Sequence, residues 1–298
     1  MNAYEPAAPP VESEVLKSSH VLPDGAQLEL LELPASTALA TWRPALLFVH
    51  GSFHAAWCWR EHFMPYFAAR GWDTLAVSLR GQGASDRPAG KTGGTLASHA
   101  VDLGNLVRAL PRPPVMIGHS FGGLVVQRYL ADGDAAPRLA GAALMCSAPP
   151  SGNSALVGRL VRQSPLLAAR LTWGMVSKAF LRDPGTCREM YFSADMAACE
   201  VERLQGLLAL HASPIPVVDV SAVRAETPLA PPPAEMPPIF VMTGAADVIT
   251  DVPAAEETAA QYGVRPVVVP GVAHDFMLDV RWRDAAEALE TWLVDEYQ

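Results

Sequence analysis

Apolar and polar positions alternate from Gln27 to Leu33, where Leu28, Leu30 and Leu33 are separated by Glu29 and Glu32. This period of two predicts a half-buried strand, read here as the edge of a mixed sheet. The run Ala45-Leu46-Leu47-Phe48-Val49 is apolar throughout and ends at His50-Gly51. A run of that kind suits a central strand covered on both faces. From there the pattern switches back and forth. Helices are predicted over Trp57–Arg70, Thr95–Leu110 and Ser120–Ala131, and strands over Asp73–Leu79, Pro114–Gly118 and Leu139–Cys146. Strands alternating with helices are the pattern of an α/β protein with a mostly parallel, doubly wound sheet.

The rhythm breaks after residue 148. From Pro149 to about Pro231 the pattern is helical, over Leu156–Leu171, Thr172–Leu181 and Met196–Leu210, with no strong strand between. A Pro-rich stretch, Pro228–Pro238, leads out of it. A strand at Ile239–Met242, a helix at Ala254–Tyr262, a strand at Val267–Val269 and a last helix at Arg281–Val294 resume the alternation. The expected organisation is a flexible tail over 1–15, a sheet domain over 16–148 and 232–298, and a helical cap over 149–231.

Composition narrows the function classes. Half of the 298 residues are hydrophobic and 18% are charged, enough for a sizeable core. A net charge of −9 disfavours nucleic acid and anionic membrane surfaces as partners. Cys58, Cys146, Cys187 and Cys199 form no CxxC pair and no zinc-spaced cluster. No Walker-type phosphate loop occurs, so no metal and no cofactor is expected. The residues from Met1 to Ser13 lack the basic start and apolar run of a signal peptide. No apolar stretch reaches the length of about 18 residues that spans a bilayer. A soluble cytoplasmic protein acting on a small molecule is the expectation, with oligomeric state left open.

The segment that carries chemistry is Gly118-His119-Ser120-Phe121-Gly122. It matches G-x-S-x-G and lies between a predicted strand and a predicted helix, where a sharp turn would present the serine hydroxyl at the helix N-terminus. A serine hydroxyl needs a base, and the base needs an orienting acid. Of the eight histidines, His274 follows the strand Val267–Val269 and the turn Pro270-Gly271, so a strand-end loop would bring it to Ser120. His119 would point away from Ser120. Asp247 follows the strand Ile239–Met242 in Thr-Gly-Ala-Ala-Asp; Asp251 and Glu256 are nearby rivals that read as helix residues. The chain order Ser120, Asp247, His274 is then the order of an α/β-hydrolase triad.

With His50-Gly51-Ser52, Arg80-Gly81-Gln82-Gly83-Ala84-Ser85, the elbow, Gly244–Asp247 and Gly271–His274 in that order, the chain resembles the α/β-hydrolases from about Gln27 to its C-terminus. Phe48–Trp57 resembles the small-ester branch that also holds plant methylesterases and hydroxynitrile lyases. The resemblance implies a serine esterase with an oxyanion hole made by the N–H groups of Phe121 and Ser52, with Phe53 as the alternative to Ser52. It also implies that the region 149–231 sets substrate choice. Phe53, His119, Trp173, Met175 and Tyr191 are the candidate substrate-binding residues, and an apolar roof suggests a hydrophobic acyl or alcohol group. Ser rather than Asp at the elbow sets the chain apart from dehalogenases and epoxide hydrolases of this fold. Thioesterases, lactonases, C–C hydrolases, acyltransferases and hydroxynitrile lyases share the triad, and a non-catalytic receptor shares the fold.

Overall fold

The computed structural model describes residues 14–36, 42–133 and 136–297. Among these, one sheet gathers β1 (Leu16–Val21), β2 (Gln27–Leu33), β3 (Leu46–Val49), β4 (Thr74–Val77), β5 (Val115–His119), β6 (Gly141–Met145), β7 (Ile239–Gly244) and β8 (Val267–Val269). Their order across the sheet is β1-β2-β4-β3-β5-β6-β7-β8. β2 is antiparallel to both β1 and β4, and every pairing from β4 to β8 is parallel. The fold is thus the expected α/β architecture with a mostly parallel sheet.

The helices are α1 (Trp57–Arg60), α2 (Phe63–Ala68), α3 (Leu96–Ala109), α4 (Phe121–Ala131), α5 (Ser154–Gln163), α6 (Pro165–Ser177), α7 (Pro184–Tyr191), α8 (Ala198–Leu210), α9 (Val220–Glu226), α10 (Val252–Gln261) and α11 (Trp282–Tyr297). Side chains alternate across each strand, so the sheet buries two cores. Leu46 and Phe48 of β3 pack in one with Phe63, Phe67, Leu289 and Leu293 from α2 and α11. Leu47 and Val49 pack in the other with Leu103, Leu106, Val125 and Val126 from α3 and α4. β3 is buried along its whole length, as its unbroken apolar run requires.

Four expected elements are corrected. Gln27–Leu33 is not an edge, because β1 pairs on its outer side. β1 reads Leu-Lys-Ser-Ser-His-Val and is largely exposed, so it has no apolar face to betray it. Trp57–Arg70 is two helices. Pro65 has no N–H and its ring would collide with the carbonyl at position 61, so the chain restarts at His62 and places Pro65 in the first turn of α2. In the segment after β6, Leu156–Leu171 divides at Ser164, whose φ of −151° and ψ of 82° leave the helical region ahead of Pro165. Thr172–Leu181 divides at Lys178, a left-handed residue that ends α6 before a 3₁₀ turn at Ala179–Leu181. α7, capped by Asp183 and begun by Pro184, and α9, capped by Asp219, were not foreseen. The expected tail lies outside the described residues up to residue 13.

Register positions the loops. Val49 sits beside Gly118, so His50-Gly51 leaves the sheet next to His119-Ser120. Gly244 sits beside Val269, so the loops after β7 and β8 leave together. All four exit at the carboxyl ends of parallel strands, the edge where open α/β sheets bind ligands.

Candidate active site

Ser120 stands between β5 and α4 with φ 53° and ψ −120°, a left-handed conformation that a side chain adopts only under constraint. The turn closes because the flanking positions are glycine. A Cβ on Gly118 would lie 2.6 Å from Gly123 Cα, and one on Gly122 would collide with the backbone of Val49 and His50. Ser120 is the N-cap of α4 but makes no side-chain cap hydrogen bond. Its hydroxyl instead lies 3.0 Å from Nε2 of His274.

His274 continues the chain of contacts. Its Nδ1 is 2.9 Å from Oδ2 of Asp247, and both residues are buried. Asp247 accepts from the N–H groups of Ile249 (2.7 Å) and Thr250 (2.9 Å) on one oxygen and from the Thr250 hydroxyl (2.6 Å) on the other. Burial opposes ionising Asp247, but the charge of His274 and these donors outweigh it and hold the acid below the usual carboxylate range. Burial likewise opposes charging His274, and the neighbouring Asp247 outweighs it, so the net shift is upward. A serine hydroxyl facing an imidazole whose far nitrogen faces a fixed carboxylate is an arrangement able to deprotonate the hydroxyl as it attacks.

The rivals lie elsewhere. Asp251 caps α10 and binds Arg159 through both oxygens, at 2.6 and 2.7 Å, and Glu256 is exposed. Arg80, the head of the Arg80–Ser85 loop, pairs with Asp102 and Asp24, which anchors the loop.

The loop after β3 is braced by His50. Leu79 N–H donates to its Nε2 at 3.0 Å, so the ring proton sits on Nδ1 and donates to the Gly51 carbonyl at 2.7 Å. Burial pushes the His50 pKa down to about 3, so the ring stays neutral. A trans peptide points its N–H opposite to its C=O. Anchoring the Gly51 carbonyl therefore turns the Ser52 N–H away from His50. A Cβ on Gly51 would lie 2.9 Å from Ser120 Cβ, which shows how closely this loop approaches the serine. Phe53 has φ 65° and packs edge-on against Phe180, with centroids 5.0 Å apart.

The other candidates scatter. Tyr191 is buried, with its ring 6.3 Å from that of His274. His119 is buried behind His274 and donates from Nε2 to the His274 carbonyl at 3.1 Å. Met175 is half-buried against the core. Trp173 is 67% exposed, on the outward stripe of α6 with Leu166 and Val176. Sequence reasoning passed over His54 and Asp275, which are buried and in contact beside the site. The one available signal was the adjacency of Asp275 to His274. Ligand atoms of His119, His274 and Asp275 come within 4.8 Å of one another, a spacing open to a metal ion. They do not suit one here, because both ring nitrogens of His274 already face Ser120 and Asp247. A separate cavity of about 330 Å³, lined by Tyr129, Leu139, Pro233 and Met236 among others, includes no residue of this site.

The model of the alpha/beta hydrolase family matches residues 46–288, and the chain belongs to that family. A non-heme chloroperoxidase from Streptomyces lividans is 38% identical over 106 residues, 35% of this chain and 37% of the relative. Methylesterase 1 from Arabidopsis thaliana is 37% identical over 78 residues, 26% of this chain and 29% of the relative. The chain thus matches about a third of the length of these curated relatives. A soluble variant of monoglyceride lipase from Saccharomyces cerevisiae superposes with a TM-score of 0.72 at 16% identity, covering 98% of this chain and 99% of that one. An esterase from Exiguobacterium antarcticum superposes with a TM-score of 0.70 at 17% identity, over 93% and 99%. At such identities the likeness is one of fold. No helix of the described residues is long and apolar enough to cross a membrane.

Proposed function

We propose that this protein is a serine esterase in which Ser120 is the nucleophile, His274 the base and Asp247 the group that orients it. The observation that carries the reading is the unbroken chain from Ser120 Oγ to His274 Nε2 (3.0 Å) and from His274 Nδ1 to Asp247 (2.9 Å), set on a strained strand–helix turn. Membership of a hydrolase family and the methylesterase among its relatives support it.

Ser120 Oγ bonds to the ester carbonyl carbon while its proton passes to His274. The carbonyl electron pair moves onto oxygen, facing the N–H groups of Phe121 and Ser52. Each such donor is worth about 10²–10³-fold in rate. The tetrahedral species collapses, the C–O bond to the alcohol breaks, and the alcohol leaves with the proton from His274. Water then repeats the sequence on the acyl-enzyme and releases the acid.

Helices α5 to α9, within residues 149–231, serve as the cap that selects the acyl or alcohol group. Phe180 is in ring contact with both Phe53 and Tyr191, and these rings give its inner side an aromatic character suited to a hydrophobic group. The four cysteines are free thiols, in keeping with a reducing compartment such as the cytoplasm.

The test is a panel of p-nitrophenyl esters of increasing acyl length, run on wild type and Ser120→Ala. The variant should lose at least about 10³-fold in kcat/KM while its melting temperature stays put. A folded Ser120→Ala protein that turns over the same esters at the wild-type rate would remove Ser120 from the chemistry.

A further inference from the structure

A second histidine–carboxylate pair lies beside the first. His54 Nε2 is 2.9 Å from Asp275 Oδ2, and their side chains are 1% and 0% exposed. The other His54 nitrogen, Nδ1, is 3.0 Å from the Ser52 carbonyl oxygen. Both ring nitrogens therefore face acceptors, an arrangement that only the doubly protonated ring satisfies. The Asp275 contact is close but bent away from the N–H direction, so it is an ion pair rather than a straight hydrogen bond. Among the described residues, the Asp275 carboxylate has no conventional hydrogen-bond donor. A carboxylate this deeply buried is costly unless a charge answers it.

The place of the pair in the chain gives it a task. Ser52 lies on the loop after β3 and Asp275 directly follows His274 on the loop after β8. We infer that His54 and Asp275 are a positioning pair that ties the oxyanion loop to the loop carrying the base, so that the two halves of the site keep one relative geometry. The inference rests on the esterase reading and deepens it. His50 holds the Gly51 carbonyl and His54 holds the Ser52 carbonyl, so consecutive peptides are fixed, and with them the direction of the Ser52 N–H between them. His50 is anchored on β4 through the residues that follow it. His54 is anchored on Asp275, and through it on the loop of His274.

The charges around the pair favour this state. His50 and His119 are driven low by burial and stay neutral. Tyr191, Cys58 and Cys187 are driven high by burial, with the Asp275 charge adding to the effect, and also stay neutral. Burial opposes charging His54, but Asp275 outweighs it and the shift is upward. His274 feels both partners: Asp275 raises its pKa and His54 lowers it.

The experiment uses His54→Gln and the isosteric Asp275→Asn, with ester turnover and the pH dependence of fluorophosphonate labelling of Ser120 as readouts. Both variants should lose about 10²-fold in kcat with KM held within about threefold. The acid limb of labelling, set by His274, should move in opposite directions: up for His54→Gln, which removes a positive neighbour, and down for Asp275→Asn, which removes a negative one. A loss of packing alone would not split the two signs. Should Asp275→Asn fail to fold, His54→Gln decides on its own kcat and limb. If wild type is labelled at Ser120 and His54→Gln keeps wild-type kcat and pH profile, the positioning role is wrong and the esterase reading stands. If wild type is not labelled, it is the esterase reading that fails.

Discussion

The strand-end loops that hold Ser120, Asp247 and His274 are fixed from several sides at once, whereas the helices between β6 and β7 are fixed mainly from below. In the loops, Asp247 takes three hydrogen bonds besides its contact with His274, His50 takes one and gives one, and the backbone at Ser120 and Phe53 is held at positive φ. In the helices, Phe180, Tyr191, Leu204 and Leu208 anchor one side to the core, while Leu166, Trp173 and Val176 face outward. The first region stores strain that surrounding contacts sustain, as sites built for chemistry do. The second has few constraints on its outer face and can vary with little cost. The difference suggests that the reaction belongs to the loops and the choice of substrate to the inner side of the helices.

The comparison can be broken most sharply at Asp247. Asp247→Asn keeps the shape but deprives His274 of its charge partner, and should lower kcat by about 10³–10⁴-fold. The sign of the pH effect follows from the upward shift of His274. The base works unprotonated, so activity falls as pH drops through its pKa, which Asp247 holds above the ordinary imidazole value. Without the Asp247 charge that limb should move to lower pH. A pH–rate profile of the variant checks it, and an unmoved limb would mean that another group sets the profile. At the other extreme is Trp173→Ser. On an exposed helix face it should change stability by no more than about 0.5 kcal/mol and leave kcat/KM within about twofold. Thermal melts and the ester panel check this, and a large loss would place the outer face of α6 in the working site.

Much of the loop region was legible in the sequence because its requirements are local. The glycines at 118 and 122 are needed for steric reasons that any strand–turn–helix elbow imposes, and Asp247 and His274 sit a few residues past recognisable strands. The apolar run of β3 likewise announces a buried central strand. The helical segment was less legible because its boundaries depend on single residues. Pro165 and the left-handed Lys178 cut a pattern whose leucines continue across them. β1 escaped notice because its two apolar residues, Leu16 and Val21, fall on opposite faces and form no apolar stripe. The inward or outward facing of Trp173 is decided by which stripe of α6 meets the core, and periodicity cannot say which. The His54–Asp275 contact joins residues at opposite ends of the sequence, so only the folded chain brings it into view.

The central claim is that Ser120 is an activated nucleophile. A fluorophosphonate probe followed by peptide mass spectrometry tests it most directly. The account predicts rapid, stoichiometric modification at Ser120 in wild type, slowed by at least about 10²-fold in His274→Ala, whose general base is gone. Absence of label from the folded wild-type protein, or a rate in His274→Ala equal to that of wild type, would contradict it.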